Sequence, residues 1–465
     1  MKPVFRTSLG LGISLAVLCA AFLGAVNVRA DDVKVIGLDE MIRMALDTSP
    51  AMREADQDIV IAKSQWKQAK AGQWAQLDVV GVVGPAQNAD VPIVRINKKT
   101  GIGYIQNRDY NDVNIFGALD FVITQPLYTF GKISNRQDAA AYGLEAQKVA
   151  RLKKHNEVVL NVKELYFAYL IARQGKGASA DAEAFIKDAR DRVKRLIELK
   201  ALNADESDLY RLEAYQAAIK AFQAKAETGA KVAYIALKQA IGYPEGKEFR
   251  LDKEELPKDV KPLGTQESYI RKALADRPEL AQLKQGIAAR MALVEAAKAD
   301  LYPSVFAAAV GSLAGAPGRE RLDVSYIPDS FNQSDVGGYI GASWHFDLGI
   351  TVGKIDQAQA EYQKLIHTRE YAEQNIPIEV AKYYQDAVEA RASYEAYEKS
   401  AVSARRWIVA SFSSFDLGVG KAKDMLDAID KYGQNQGDYL QSLYSYHVSL
   451  ARLTYAIGRW QNEDL

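Results

Sequence analysis

Cysteine is almost missing from this sequence: Cys19 is the only one, and it lies in an N-terminal stretch that looks like an export signal. Lys2 and Arg6 precede an uncharged run from Leu9 to Val26, and Val28, Arg29 and Ala30 supply a cleavage site, so residues 1–30 read as a signal peptide. Ala16, Val17 and Leu18 before Cys19 lack the small residue expected next to a lipid-modified cysteine. Cleavage after Ala30 leaves a chain without disulfides or thiol chemistry. Histidine is scarce as well: His155, His345, His367 and His447 are scattered without metal-ligand spacing. No nucleophile elbow occurs, and GVGK ending at Lys421 and TVGK ending at Lys354 lack the remainder of a phosphate loop. Neither an enzyme nor a cofactor is expected.

An excess of either charge is also lacking. The 59 bases equal the 59 acids, and without Lys2, Arg6 and Arg29 there are 56 against 59, which leaves no basic footprint for nucleic acid. Beyond Val26 no long apolar run remains, so any route into a membrane must use strands.

What the chain does have is a duplication. IRMALDTSP at Ile42 to Pro50 and AKAGQW at Ala69 to Trp74 return as IRKALADRP at Ile270 to Pro278 and AKADLY at Ala297 to Tyr302. Each copy runs from short helices through alternating segments into very long apolar-periodic stretches. The expected organisation is a first repeat over 31–241, a connector over 242–266 rich in proline and charge, and a second repeat over 267–465.

Four strands are expected: Leu77 to Val83, ending at Gly84 and Pro85; one around Val113 to Thr124; Ser304 to Leu313; and Val336 to Phe346. In the second, Val113, Ile115, Leu119, Phe121 and Ile123 share a face. In the last, Val336, Ile340, Ala342, Trp344 and Phe346 do. Strands of about ten residues with one greasy side suit a tilted membrane span. Four cannot close a barrel, and an open sheet in lipid would leave two bare edges, so several chains must share one barrel. Helices follow: Ile133 to Leu199 and Ser207 to Ile241, then Lys354 to about Phe415, interrupted at Pro377, and a partner. The partner carries the heptad row Met425, Ile429, Tyr432, Gln436, Tyr439, Leu443, Tyr446, Leu450, Leu453, Ile457. Beside it runs a polar row, Asp424, Asp427, Lys431, Gln434, Asp438 and Gln441.

With these landmarks, joined by QPLYTFGK at Gln125 to Lys132, WHFDLG at Trp344 to Gly349, and KQAIG and TYAIG ending at Gly242 and Gly458, the sequence resembles the TolC-like outer-membrane efflux proteins. The resemblance implies a mixed α and β membrane protein, a duplicated unit whose four transmembrane strands per chain contribute to a trimeric 12-strand barrel. A long α-helical barrel of paired, coiled-coil-like helices continues it. It implies an outer-membrane exit duct reaching into the periplasm, with a membrane-fusion adaptor, an inner-membrane pump and outer-membrane lipid as partners. Asp424 and Asp427 match the family's carboxylate ring at the periplasmic aperture, although carboxylates also suit a helix's first turn for its dipole alone. Gly418, Val419 and Gly420 stand at one adaptor-facing helix tip and Ala201, Leu202 and Asp208 at the other, where the sequence departs from the family. Only Lys200, Ala201 and Leu202 represent its small-glycine-leucine segment and Asp208 comes one residue late, so a solvated acidic helix start capped by Asp205 or Ser207 is the alternative. Pro126, Gly131 and Gly349 turn strands into helices. Phe415 and Gly420 stand where the family has an aromatic hydroxyl and an arginine that lock the closed state, so any lock here differs. Trp344, Phe346, Phe121 and Tyr128 are candidates for an interfacial girdle. A secreted coiled-coil scaffold or adaptor without a pore is the competing reading; it explains the heptads but not four apolar-faced strands.

Overall fold

The computed structural model describes residues 33–89, 94–105, 112–201, 204–259, 262–321 and 328–458; residues 1–30, expected to be a signal peptide, and Leu202 lie outside them. The chain runs through β1 (Lys34–Ile36), α1 (Leu38–Thr48), α2 (Pro50–Ala71), β2 (Gln76–Gln87), β3 (Val94–Ile96), β4 (Gly103–Ile105), β5 (Val113–Tyr128), α3 (Lys132–Glu198) and α4 (Glu206–Ala240). After β6 (Phe249–Leu251) the order recurs as α5 (Gln266–Asp276), α6 (Pro278–Lys298), β7 (Ser304–Gly315), β8 (Ser334–Ser343), α7 (Ile350–Asp416) and α8 (Ala422–Ala456). Lengths recur with it: α1 and α5 have 11 residues each, α3 and α7 have 67, α4 and α8 have 35.

The recurring motifs meet in space. Ile241–Gly242 and Ile457–Gly458 end α4 and α8 with the glycine in the left-handed region, φ 60° and 78°. A Cβ on Gly242 would strike Thr48, and one on Gly458 would strike the backbone of Arg277. Each repeat thus packs its AIG end onto its own ALxxxP corner, where Pro50 and Pro278 open the following helix without losing a bond.

At 1.5 Å per residue α3 and α7 reach about 100 Å. Pro377 does not interrupt α7. It removes one helical bond and crowds the turn before it, at a cost of about 3 kcal/mol. Ile376 and Val380 on either side are buried against Ala273, Leu453, Ala456 and Ile457, which offsets that cost. Near the sheet the helices lie in the order α2–α3–α6–α7; farther away the order is α4–α3–α8–α7. Among the described residues no helix is long and apolar enough to cross a membrane.

The four long strands form an antiparallel sheet in the order β2–β5–β7–β8, leaving β2 and β8 as edges. The strand expected to stop at Gly84 continues through Pro85 to Gln87, because an edge strand tolerates a residue with no N–H to donate. The last strand ends at Ser343, earlier than expected: Trp344 leaves the ladder and its indole Nε1 donates to the Leu301 carbonyl at 3.1 Å. The segment 242–266 is more than a connector. Its β6 pairs in parallel with β1, and Phe249, Leu251 and Leu256 are buried with Ile36, Met41, Tyr166 and Leu170. The Phe-x-Leu pattern there was too short to stand out among the prolines.

Candidate functional site

Register sorts the sheet into two unlike faces. Leu77, Val79, Val83, Ile115, Leu119, Phe121, Ile123, Ala307, Leu313, Val336 and Ile340 fall on one side. The apolar faces read from the second and last strands are therefore one continuous surface. Asp78, Asp120, Ser312 and Asp335 fall on the other side, with Asp120 opposite Ser312 and Ser312 opposite Asp335. The hydroxyl of Ser312 donates to Asp120 at 2.6 Å. Phe121 lies across Gly311 on the apolar side and Phe306 across Gly341 on the polar side; each glycine leaves room for a cross-strand ring. Phe121 is thus mid-sheet, and a role for it in a girdle at the strand ends is excluded.

A cluster of rings marks the end of the sheet that joins the helices. Tyr128 meets Phe130 at 4.7 Å, Phe130 stacks on Tyr302 at 5.1 Å and Trp344 meets Phe346 at 4.6 Å, all substantially exposed. Pro126 remains within β5, where the register slips between Pro126 and Tyr128 and brings Tyr128 opposite Val305 on the apolar side. Gly131 and Gly349 are the residues preceding α3 and α7, with φ 90° and 124°. Asp347 braces the second turn: its carboxylate accepts from the backbone N–H groups of Gly349 and Thr351 and from the Thr351 hydroxyl, and these bonds hold its pKa down to about 2.

At the far end, both helix hairpins close with the same backbone device. In one, Val419 N–H donates to Ser414 O and Gly418 N–H to Phe415 O, with Gly418 at φ 75°. In the other, Ala201 N–H donates to Leu196 O and Lys200 N–H to Ile197 O, with Lys200 at φ 53°. Gly420 has no room for a side chain, since a Cβ would meet the Phe415 nitrogen at 2.9 Å. Phe415 itself is buried with Ile186, Val193, Leu212, Met425 and Ile429. Asp205 is the cap of α4, accepting from the N–H groups of Ser207 and Asp208, while Asp208 accepts from the N–H of Asp205 at 3.2 Å. Asp208 is largely buried and committed to its own helix start, so it does not face outward as a contact residue. Burial pushes its pKa up.

Asp424 is exposed in the first turn of α8. Asp427 is half-buried and accepts from Arg211 Nη2 of α4 at 2.8 Å. A second arginine, Arg192 of α3, binds Asp416 of α7 and both oxygens of Asp188, with its guanidinium over the Phe412 ring. Sequence reading missed these two arginines, because Arg211 and Arg192 lie 216 and 224 positions from Asp427 and Asp416; the step of four from Asp188 to Arg192 was the one local signal. The rest of the polar row, Lys431, Gln434, Asp438 and Gln441, is exposed, whereas Met425, Ile429, Tyr432, Tyr439, Leu443 and Tyr446 are buried.

The sequence model described as "Outer membrane efflux protein" matches residues 269–459. Alkaline protease secretion protein AprF of Pseudomonas aeruginosa is 22% identical over 373 residues, covering 77% of this chain and 72% of AprF. Among solved structures, the outer membrane protein VceC of Vibrio cholerae superposes with a TM-score of 0.70 at 16% identity, over 90% of this chain and 96% of VceC. The open state of the MtrE outer membrane channel of Neisseria gonorrhoeae gives a TM-score of 0.70 at 18% identity, over 90% of this chain and 88% of MtrE. Residues 269–459 thus carry the sequence pattern of outer membrane efflux proteins, and nine-tenths of the chain shares the fold of these solved outer-membrane channels.

Proposed function

We propose that three copies of the chain join β2 of one to β8 of the next, closing a 12-strand barrel whose apolar face meets lipid and whose carboxylate face lines the lumen. The observation that carries this is the pair of unpartnered sheet edges on a sheet with one uncharged face. In hydrocarbon each bare backbone group would cost several kcal/mol, and closure removes them all. The helices support it, because α2 and α4 lie on the β2 side of the protomer and α7 on the β8 side. Exposed apolar side chains lie on both flanks: Val60, Ile61, Val232 and Ile235 on one, Ile378, Val402 and Val409 on the other. The chain then divides into a first repeat over 31–241 and a second over 267–465, joined by residues 242–266.

The helical part continues the barrel as a tunnel across the periplasm, and the whole serves as the exit duct for an inner-membrane pump and its periplasmic adaptor, in efflux or in type I secretion. The name of AprF, a protease secretion protein, favours neither cargo by itself at 22% identity. Asp424 and Asp427 form the carboxylate ring at the narrowed periplasmic end. Ala201, Gly418, Val419 and Gly420 face the adaptor, as does Leu202, which lies outside the described residues. The closed state is held by Arg211 on Asp427 and Arg192 on Asp416, in place of the lock that Phe415 and Gly420 cannot make.

Planar-bilayer recording tests this reading. The purified protein should form cation-preferring channels, and Asp424→Asn with Asp427→Asn should reduce that preference. Channels whose selectivity is unchanged would remove the ring, and a protein that seals the bilayer without conducting would remove the duct.

A further inference from the structure

The outer end of the sheet holds a set of contacts that the periplasmic end does not need. Beyond the named strands the β7–β8 ladder continues, with Ala314 and Gln333 exchanging backbone bonds of 2.8 and 3.2 Å. Alternation then puts Gln333 on the same face as Asp335, and Phe331 lies in the turn that leads into it. Phe116 of β5 is on that face, since it shares the parity of Asp120, and its contact with Phe331 brings the Phe331 ring to the same side. The two rings meet edge to face with centroids 5.1 Å apart, beside the buried Ala316. The Arg319 guanidinium sits 3.9 Å from the centre of the Phe331 ring, and its Nη1 donates to the Gln87 carbonyl at the end of β2 at 2.9 Å. Backbone bonds follow the same path: Ala89 N–H donates to Gly318 O at 2.8 Å, and Glu320 N–H to Ala89 O at 2.9 Å. Because β5 separates β2 from β7, this segment must cross the outer end of β5 to reach β2. Deeper along the same face, the Gln333 amide donates to Ser312 and Ser312 to Asp120.

We propose that Arg319, Phe331 and Phe116 form a filter at the outer mouth of the duct, a clasp that narrows the lumen by size and sets a guanidinium above the inner carboxylates. The inference rests on the barrel reading, in which the carboxylate face is the lumen. Residues 318–320, which follow β7, would gain nothing by reaching β2 across an intervening strand if they served only to lead the chain away from the sheet. Lying on the polar face, it takes up space that would otherwise be open lumen, and three copies converge on one axis. Its hold combines a cation over an aromatic ring with hydrogen bonds to backbone, which fixes the side chain rather than leaving it waving in solvent. The guanidinium keeps its charge at any physiological pH, so the outer filter does not relax on acidification.

Labelling of a lumen-facing cysteine on intact cells tests the filter. The single native cysteine, Cys19, falls within residues 1–30, which read as a removed signal, so Val122→Cys, on the lumen face inside the clasp, is the only thiol. Small maleimides and polymer-bearing maleimides of graded size are added from outside, with Arg319→Ala, Phe331→Ala and Arg319→Lys in the same background. Loss of the clasp should speed reaction with the bulky reagents about tenfold, as expected for losing a contact of this kind, with Arg319→Lys in between. If small reagents react and bulky ones react equally in all variants, the filter is wrong and the barrel reading stands. If even the smallest reagent fails in every variant, the assignment of the lumen face is wrong and the filter falls with it. Agreement between Arg319→Ala and Phe331→Ala, each recovered in the outer membrane, separates the effect from a misfolded variant.

Discussion

Helices α4 and α8 have the same length and the same place in their repeats, and both carry a row at heptad spacing, which in α4 is Leu212, Tyr215, Ile219, Phe222, Ala226, Gly229, Ala233, Ala236 and Ala240, yet 16 residues of α8 are buried against four of α4. Position explains the difference. α8 lies between α3 and α7, so its row, Met425, Ile429, Tyr432, Tyr439, Leu443 and Tyr446, is covered within one chain. α4 packs mainly on α3, and Tyr210, Phe222, Val232 and Ile235 stay exposed. The heptad row itself is partly covered, with Leu212 and Ala233 buried, so these four exposed side chains form an apolar flank, the kind of surface that suits another chain. Two helices of equal length thus differ in use: one is core, and the other carries the interface of the assembly proposed above.

The largest effect should come from charging the exposed flank of α4. Val232→Asp with Ile235→Asp should leave the protomer folded, because both side chains are more than half exposed, and should abolish assembly. Cross-linking in membranes together with circular dichroism checks this; assembly at wild-type level would end the comparison. Next, Leu443→Ala, fully buried in α8, should cost about 2–5 kcal/mol in chemical denaturation of the protomer. A loss below about 1 kcal/mol would mean that α8 is no more internal than α4.

A smaller effect concerns the middle of α8. His447 is buried, stacks on Phe167 at 4.8 Å and shares a 2.7 Å contact with the Pro257 carbonyl. Around it lie Lys163 and Tyr166 of α3, Asp39 and Arg43 of α1, and Asp252, Lys253 and Asp259 of the segment before α5. Burial holds the imidazole pKa below its ordinary 6.5. The unfolded chain therefore takes up the proton first, and stability should fall as the pH drops through the ordinary histidine range. His447→Gln, which keeps a donor for Pro257, should flatten that slope in denaturation curves between pH 7 and pH 5. Lys163 behaves in the same sense at higher pH: burial lowers its pKa to about 8, so stability should rise as the pH climbs past that value. The smallest effect separates the two hairpin tips. Lys200→Gly should stabilise by about 0.5–1 kcal/mol, because glycine relieves the left-handed residue, whereas Gly418→Ala should destabilise by about 1 kcal/mol at the equivalent turn.

Much of this was legible in the sequence because it is local. Helix periodicity, the AIG and ALxxxP landmarks and the apolar parity of β5 and β8 each live within a dozen residues, and the fold reproduces them. What escaped depends on partners far apart in the chain. Pro377 looked like a break because its compensation comes from Ala273 and Leu453, and the segment 242–266 looked like a linker because its buried Phe249 and Leu251 pair with β1. The tip aspartates showed their spacing but not their company: Arg211, which accompanies Asp427, is 216 positions distant. The Arg319 clasp likewise joins two loops that no periodicity connects.

Native mass spectrometry of the protein extracted in mild detergent tests the central claim, that the two open sheet edges are satisfied by sister chains. The account predicts a complex of three chains. A single chain that stays folded and soluble in detergent, with β2 and β8 still unpaired, would contradict it.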